Sequence, residues 1–197
     1  MKNPSIRTLN YPQHVASERL ELRWPVEADA RELFERCTSD PVVTRYLLWP
    51  AHTSIDQTLA FINTPITDTG VEFQSWLMRT KESGQIVGVI GCRRIEPHII
   101  QFGYYLAQAE WGRGYATEAT RAMVPLWLSH PEIFRVQAFC DLENAPSSRV
   151  LTKAGLTLEG TLGRYICSPN LGPEPRDGHL FAATKGDTAI NAATQPA

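Results

Sequence analysis

The chain has 197 residues and a mass of 22.1 kDa, which suits one domain that buries about 70% of the surface its unfolded form exposes. Hydrophobic residues make up 43% and charged residues 20%, and the formal net charge is −2 at pH 7. So small a net charge creates no global field for nucleic acid or an anionic membrane, so any polyanionic ligand must be held by local groups.

The cysteines and histidines show no metal-binding pattern. Cys37, Cys92, Cys140 and Cys167 lack C-x-x-C spacing, and no H-E-x-x-H is present, so the sequence predicts buried, reduced thiols and no metal. The N-terminal residues contain no apolar core of a signal peptide, and no run approaches the ~20 apolar residues of a membrane span. We expect a cytoplasmic protein without nucleic-acid or membrane partners; both monomer and homodimer remain open.

The first part of the chain predicts an arm, a strand and a helix. Residues 1–16 are polar and contain two prolines, which is typical of a lead-in arm that is held loosely or packs late. Leu20, Leu22 and Trp24 alternate with charged residues, the pattern of a strand with one buried face. Pro25 suits the start of a helix that ends before residue 40.

A proline-bounded apolar segment follows over residues 42–50. After it, Ser54 suits the N-cap of a helix that buries Ile55, Leu59 and Ile62. Such a segment either lines a cleft for a second substrate or simply caps the core.

The middle of the chain predicts three strands, over residues 73–80, 85–95 and 99–106, joined by short turns into an antiparallel meander. A helix then begins at Ala116, and Pro125 must bend or shorten it. The next strand covers residues 134–140. Because a helix separates it from the strand 99–106, these two strands can pair in parallel.

The last part predicts a helix that Asn144 opens and Gly155 caps, and then two closing strands, over residues 156–162 and 178–184. The loop between these strands is long and rich in Pro and Gly, which is typical of a loop at a site. The chain thus predicts one domain over residues 17–185 and a disordered tail over residues 186–197.

Small residues mark the junction between the strand that ends at Leu106 and the following helix. The junction reads Gly112, Arg113, Gly114, Tyr115, Ala116. N–H groups at the start of such a helix lack partners and lie at the positive end of its dipole, a typical phosphate site. A Rossmann fingerprint needs Gly where the chain has Thr117, and the Gly-Lys-Ser/Thr of a P-loop is missing. An ordinary strand-to-helix turn is the alternative.

The stretch W-G-R-G-Y-A-T-E-A resembles the acetyl-CoA loop of the GCN5-related N-acetyltransferases, the GNAT superfamily, written Gln/Arg-x-x-Gly-x-Gly/Ala. Trp111 stands where most members have Gln or Arg, but Trp is familiar there in the RimJ/RimL-like branch, which acetylates protein N-termini and other amines. The stretch from Asn144 to Leu156, N-A-P-S-S-R-V-L-T-K-A-G-L, and the opening residues 18–30 also resemble this branch.

The resemblance implies a mixed α/β fold of the GNAT type. Its central sheet is mixed and largely antiparallel, is flanked by helices, and is splayed between its fourth and fifth strands, here residues 99–106 and 134–140. Acetyl-CoA would be wedged in the gap. The implied activity is direct transfer of the acetyl group to a primary amine, either a protein N-terminal α-amine or a small molecule. The alternative is an acyl-CoA-binding or sensing module without turnover.

Roles follow for particular residues if the resemblance holds. Backbone N–H groups of Tyr105 and Leu106 would donate to the thioester carbonyl, and the amides of residues 112–117 would hold the pyrophosphate, with Arg113 as counter-charge. Asn144 would bond the pantetheine amides. The predicted cofactor-binding residues are Tyr105, Leu106, Gly112, Arg113, Gly114, Tyr115, Ala116, Thr117 and Asn144.

Two residues are candidates for the chemical step. Ser147 would offer its hydroxyl to the departing thiolate, although Asn144 and Ser147 also make an ordinary helix start. Glu159, just after the second helix, is our choice of general base, with Glu72 and Asp177 as alternatives that no spacing excludes.

Overall fold

A twisted eight-stranded sheet with helices on both faces accounts for residues 11–63 and 73–187, the parts of the chain that the computed structural model describes. The strands are β1 (His14–Ala16), β2 (Leu20–Arg23), β3 (Phe73–Thr80), β4 (Ile86–Glu96), β5 (Ile99–Leu106), β6 (Arg135–Asp141), β7 (Thr157–Ile166) and β8 (Arg176–Thr184). The α-helices are α1 (Ala30–Leu33), α2 (Pro41–Thr44), α3 (Ile55–Asn63), α4 (Tyr115–Ser129) and α5 (Ala145–Lys153). A 3₁₀ turn, Glu27–Asp29, leads into α1, and a π-helical turn, Phe34–Thr38, follows it.

The sheet order is β1-β2-β3-β4-β5-β6-β8-β7, and every neighbouring pair is antiparallel except β5 and β6. This confirms the predicted mixed α/β fold. The predicted fourth and fifth strands are β5 and β6 here, because the short strand β1 precedes them. The predicted parallel pair is also confirmed, since β5 and β6 lie side by side in the same direction.

The sheet splays between β5 and β6. These strands pair over three residues only, Ile99–Gln101 with Arg135–Gln137. Beyond that point β5 stays paired with β4 up to Leu106, and β6 stays paired with β8 along its whole length. Over residues 102–106, the edge of β5 that faces β6 therefore borders a gap.

Two helix layers cover the sheet. Helices α4 and α5 pack on one face, where the core includes Trp76, Trp127 and Leu151. The segments around α1 and α2 pack on the opposite face, where Leu33 and Leu77 are fully buried. Each face of the sheet thus has its own apolar core, with the gap between them at β5.

Helix α4 runs through Pro125 to Ser129, so of the two predicted effects, a bend or a shorter helix, shortening does not occur. Met123, Val124 and Trp127, on both sides of the proline, are at most 1% exposed. A proline inside a helix costs about 3 kcal/mol, whereas burying each large apolar side chain contributes about 1.5–3 kcal/mol. Burial of this face therefore outweighs the loss of one backbone hydrogen bond.

The described part of the predicted arm, residues 11–16, packs firmly. Tyr11 is buried and lies edge-on to Trp76, with ring centroids 5.7 Å apart, and Trp76 Nε1 donates to Pro12 O at 3.0 Å. Strand β1 then extends the sheet. Residues 11–16 therefore pack against the rest of the domain, which is one of the two predicted behaviours, and they are not a loosely held arm. Residues 1–10, Glu72 and most of the predicted tail, 188–197, lie outside the described residues.

All four cysteines are free thiols. Cys37, Cys92 and Cys140 are buried, as predicted, but Cys167 is exposed in the loop that follows β7. Burial raises the pKa of Cys37 to about 12, which keeps this thiol protonated. Within residues 11–63 and 73–187, no helix has the length and apolar character needed to cross a membrane.

Asp29, which is buried where α1 begins, accepts four hydrogen bonds. Arg23 donates from Nη1 at 2.8 Å and Nη2 at 2.6 Å, Arg79 Nη2 donates at 2.9 Å and the Val26 N–H donates at 2.8 Å. Burial by itself raises the pKa of Asp29, but these hydrogen bonds outweigh it and hold the pKa below its ordinary value.

We expect this network to make folding stability depend on pH. Because the folded pKa of Asp29 lies below the unfolded one, its stabilisation is complete above about pH 4 and is lost as the pH falls through the folded pKa. Asp29→Asn should lower stability at pH 7 by about 2–3 kcal/mol and make the acid loss shallower. Urea unfolding at a series of pH values measures both, and equal acid sensitivity of parent and variant would contradict the assignment.

Candidate active site

Two glycines shape the loop between β5 and α4. Gly112 has φ +77° and Gly114, the N-cap of α4, has φ +83°, both in the left-handed region that L-residues rarely adopt. The helix begins at Tyr115, one residue before the predicted start. A Cβ on Gly112 would meet nothing within 4 Å, so this side of the loop is open to a ligand.

The Arg113 side chain is partly exposed but is held by neighbouring side chains. Its Nη1 donates to Glu110 Oε2 at 2.7 Å, and the other oxygen of the buried Glu110 accepts from Arg36 at 2.8 Å. The Arg113 and Arg19 guanidiniums lie 5.2 and 4.7 Å from the centroid of the Tyr115 ring. These side chains hold the loop on one side. The backbone amides at the start of α4 remain available to a ligand on the other side.

A cavity of about 810 Å³ runs through the gap between β5 and β6. Among the predicted site residues, its lining includes Tyr105, Leu106, Gly112, Ala116, Asn144 and Ser147. The others that form the loop and the first helical turn, outside that lining, are Arg113, Gly114, Tyr115 and Thr117. A cavity of this size matches a small-molecule site.

Backbone N–H groups of β5 alternate between its two edges. The Ala107 N–H donates to Val87 O on β4 at 2.9 Å, so the Tyr105 N–H also faces β4. The amides of Tyr104 and Leu106 then face the gap. The Leu106 amide thus faces the gap, as a predicted donor must. The Tyr105 amide does not, and the Tyr104 amide faces the gap instead.

Trp111 closes the strand end beside the gap. Its indole Nε1 donates to Leu106 O at 2.9 Å, while 48% of the residue stays exposed. The residue that departs from the usual Gln or Arg thus has a physical role. It ties the glycine loop to the last carbonyl of β5.

Ser147 lies at the start of α5 and faces the cavity. Its Oγ is 2.9 Å from the hydroxyl of Tyr104, and its N–H donates to Asn144 Oδ1 at 3.3 Å. Burial raises the pKa of Tyr104, so its phenol stays protonated and can donate to Ser147 Oγ. The serine hydroxyl then has its own proton to offer into the cavity.

The structure does not bring Glu159 to the cavity. Arg135 donates to its two carboxylate oxygens at 2.8 and 2.5 Å, and these bonds hold its pKa below the ordinary value. A group held in this form is a poor proton acceptor, so the prediction of Glu159 as general base is not supported. Asp177 accepts from the Arg164 N–H at 2.8 Å, also away from the cavity lining.

The opposite face of the sheet carries the second half of the cavity. Gly91 and Gly103 are cross-strand partners there, and a Cβ on Gly103 would meet nothing within 4 Å. Gly103 is therefore a bare part of the floor, whereas the Phe73 ring lies 3.0 Å from the Cβ position of Gly91 and covers that glycine. The side chains around it are mainly aromatic: Trp49, Phe61, Phe73, Tyr105 and Phe139.

Two polar residues of the β7–β8 loop hold one wall of this half. Ser168 Oγ lies 3.1 Å from both Arg45 O and Leu47 O, and Asn170 Nδ2 donates to Thr44 O at 2.7 Å and to Trp49 O at 2.9 Å. The apolar segment 42–50 therefore lines a cleft, one of its two predicted roles, and the long loop positions it.

Sequence reasoning left Tyr104 open between a core and a site residue, and it missed the Gly91–Gly103 floor and the pair Ser168 and Asn170. No local pattern marks them, because each acts through a partner far along the chain; Tyr104 and Ser147 are 43 residues apart. Among the described residues, no group of three or more His, Cys, Asp or Glu is placed to hold a metal ion.

A mixed sheet that splays beside a glycine-rich strand-to-helix loop defines an acetyltransferase fold. The sequence agrees, since the profile of the acetyltransferase (GNAT) domain family matches residues 19–157, and the chain belongs to that family. Its members are acetyltransferases that use acetyl-CoA as co-substrate.

Known proteins of similar sequence and fold agree with this membership. The uncharacterized N-acetyltransferase p20 of Bacillus licheniformis is 29% identical over 153 residues, 76% of this chain and 85% of that protein. The ribosomal-protein-serine acetyltransferase of Escherichia coli is 27% identical over 150 residues, 74% of this chain and 83% of that protein. A GNAT-family acetyltransferase from Bacillus anthracis has the same fold, with a TM-score of 0.77, 24% identity and coverage of 88% of this chain and 99% of that one. RimL, a ribosomal-protein alpha-N-acetyltransferase in complex with coenzyme A, has a TM-score of 0.74 at 22% identity, with coverage of 88% and 99%.

Proposed function

We propose that the protein transfers the acetyl group of acetyl-CoA directly to a primary amine, with the two substrates entering the gap from opposite faces of the sheet. The observation that carries this proposal is that one continuous cavity between β5 and β6 has the glycine loop and Ser147 on one side and the aromatic half on the other. Such an arrangement holds an amine against a thioester carbonyl, and positioning of this kind supplies much of the rate of a direct transfer.

Each part of the gap has a distinct task. The amides from Gly112 to Thr117 hold the pyrophosphate at the start of α4. The gap-facing N–H groups of Tyr104 and Leu106 donate to the carbonyl oxygen as negative charge develops there. Ser147 Oγ–H donates a hydrogen bond to the departing sulfur, and Tyr104 keeps the serine oxygen oriented. The thiolate takes up the proton that the attacking amine releases, so the serine hydroxyl is unchanged after the transfer.

The two carboxylates among the described lining residues of the cavity are both paired with an arginine, so neither is well suited to act as a general base. This favours an acceptor amine that loses its proton without one. The two carboxylates are Asp141, which accepts from Arg176 Nε at 2.5 Å, and Glu143, which is 2.9 Å from Arg176 Nη2. Burial alone raises the pKa of Asp141, but the bonds from Arg176 and the Glu143 N–H outweigh it and lower the pKa. Near pH 7 about a tenth of an α-amine is neutral, against less than about a thousandth of a lysine.

This reasoning favours a peptide α-amine as acceptor and supports membership of the RimJ/RimL-like branch. The relatives support the same choice, because one is named a ribosomal-protein-serine acetyltransferase and another a ribosomal-protein alpha-N-acetyltransferase. The test is a panel of peptide N-termini, α-acetylated peptides with a free lysine, and small amines, with free CoA thiol as readout. Turnover of lysines or small amines alone would contradict the α-amine proposal.

We expect Ser147→Ala to lower kcat about tenfold or more while leaving the Kd for acetyl-CoA within about twofold, because a hydrogen bond donated to the leaving thiolate acts mainly in the transition state. Steady-state kinetics and calorimetry separate the two quantities. Ser148→Ala is the matched control, since the Ser148 hydroxyl contacts Cys140 Sγ at 3.3 Å instead of Tyr104. An unchanged kcat in Ser147→Ala would leave Ser147 with no role beyond the first turn of α5, where Asn144 is the cap.

A further inference from the structure

A fixed arginine lies at the far end of the glycine floor. Arg93 is opposite Gln101 on the neighbouring strand, two residues along from the Gly91–Gly103 pair, and both side chains line the cavity. In the amide orientation that satisfies both groups, Gln101 Oε1 accepts from Arg93 Nε at 3.1 Å and from Nη2 at 2.6 Å. Gln101 is only 6% exposed, so a buried side chain holds the guanidinium in place.

No carboxylate neutralises this guanidinium within residues 11–63 and 73–187. The nearby arginines differ in this respect. Arg135, on β6, is paired with Glu159 at 2.5 Å, and Arg176, on β8, is paired with Asp141. Arg45, which also lines the cavity, lies near enough to Asp141 to help lower the pKa of that carboxyl, although Arg176 is the residue paired with it. Among the described residues, the outer N–H donors of Arg93 are therefore not occupied by a carboxylate.

From this contrast we infer that the protein selects acceptors that carry an anionic group, which Arg93 binds. The inference rests on the proposed transfer to an amine. A guanidinium suits a carboxylate because its fork matches both oxygens, and Gln101 has already fixed its orientation, which reduces the entropy lost on binding.

The positions of Tyr104 and Gln101 on β5 set the distance that an acceptor must span between its amine and its anionic group. The reacting carbonyl lies by the Tyr104 N–H, and Gln101 is three residues away along the same strand, which is about 10 Å at about 3.4 Å per residue. The amine and carboxylate of a free α-amino acid lie far closer than this, so such an acceptor cannot reach both ends. An extended peptide spans the distance with an acidic side chain at its third residue.

The experiment compares three peptides that differ only at the third residue, which is Glu, Gln or Lys, and a linear ω-amino carboxylic acid of similar span. The parent protein should acetylate the Glu peptide with a kcat/KM about tenfold above that of the Gln peptide, the usual scale of one exposed charge-assisted hydrogen bond. The Lys peptide should be slower still. The ω-amino acid shows whether the charge and span suffice without a peptide backbone.

Variants at the arginine sharpen the comparison. Arg93→Gln should bring the Glu and Gln peptides to equal rates, and Arg93→Glu should make the Lys peptide the preferred one, with acetyl-CoA affinity unchanged in both. Arg31→Gln is the matched control, because the Arg31 side chain is 77% exposed and pairs only weakly with Glu35, at 3.7 Å. It should keep the parent preference.

Calorimetry of the peptides against the complex of the protein with CoA gives a second readout that needs no turnover. Tighter binding of the Glu peptide without any release of CoA thiol would support the anion site and sink the proposed transfer. Turnover at equal rates for the Glu and Gln peptides, or a preference that survives Arg93→Gln, would overturn the inference and leave the transfer intact.

Discussion

Gly114→Val is expected to weaken acetyl-CoA binding at least about a hundredfold, because the variant misplaces amides whose hydrogen bonds to phosphate are each of the order of 1.5–3 kcal/mol. Gly114 has φ +83°, a conformation that costs an L-residue about 1–2 kcal/mol. Its Cβ would lie 3.4 Å from Arg19 Nη2, an ordinary contact with the end of a flexible side chain, so the strained φ is the main effect. The loop must therefore shift, and the first amides of α4 move with it.

Two further variants separate binding from backbone strain. Gly84→Val is the matched control, since Gly84 has φ +68° in the β3–β4 turn, with nothing within 4 Å of its Cβ position. It should lose similar stability and keep its affinity. Arg113→Ala should weaken binding only modestly and mostly at low salt, because Glu110 already neutralises this partly exposed charge. Calorimetry that ranked Arg113→Ala as the more severe change would refute the idea that backbone amides hold the phosphates.

Gly103→Phe should abolish acceptor turnover, by about a hundredfold or more in kcat/KM, while acetyl-CoA affinity stays near that of the parent. Gly103 lies on the floor of the acceptor half, and a side chain there enters open space, so it fills the volume in which the amine and its body would lie. Replacing a glycine in a strand by an aromatic residue also favours the strand, by up to about 1 kcal/mol. The variant should therefore melt no lower than the parent.

The matched control is Gly160→Phe. Gly160 belongs to β7, outside the cavity lining, and its Cβ position is likewise open. It should leave both substrates unaffected. If Gly103→Phe turned over peptides like the parent, the amine would have to approach from the face that carries α4 and α5, and the two-face arrangement would be wrong.

The elements that local patterns determine were the predictable ones. Strands β3 and β5 begin and end where the sequence predicted, because apolar and aromatic runs there are bounded by turn residues. The glycine loop was predictable for the same reason, since its spacing sits within a few consecutive residues. Strand β1 was missed because its three residues owe their conformation to pairing with β2 and show no pattern of their own.

The parts of the site that failed or were missed depend on distant partners. Glu159 was chosen from its position after a helix, but Arg135, 24 residues earlier, decides its state. Asn170 bonds carbonyls more than a hundred residues away, and nothing in its own sequence surroundings marks that contact. A single sequence specifies such pairs only through the complete fold, so the acceptor half of the cavity, apart from the segment 42–50, could not be predicted from it.

A single-turnover measurement tests direct acetyl transfer most sharply. The purified protein is loaded with acetyl-CoA, mixed with buffer or with the peptide that has Glu at its third residue, and assayed for free CoA thiol, acetylated peptide and acetylated protein. The proposal predicts no thiol release in buffer, and with the peptide one CoA per acetylated α-amine, without any acetylated protein. Release of CoA in buffer with an acetyl group left on the protein, or tight acetyl-CoA binding with no release for any amine, would contradict it.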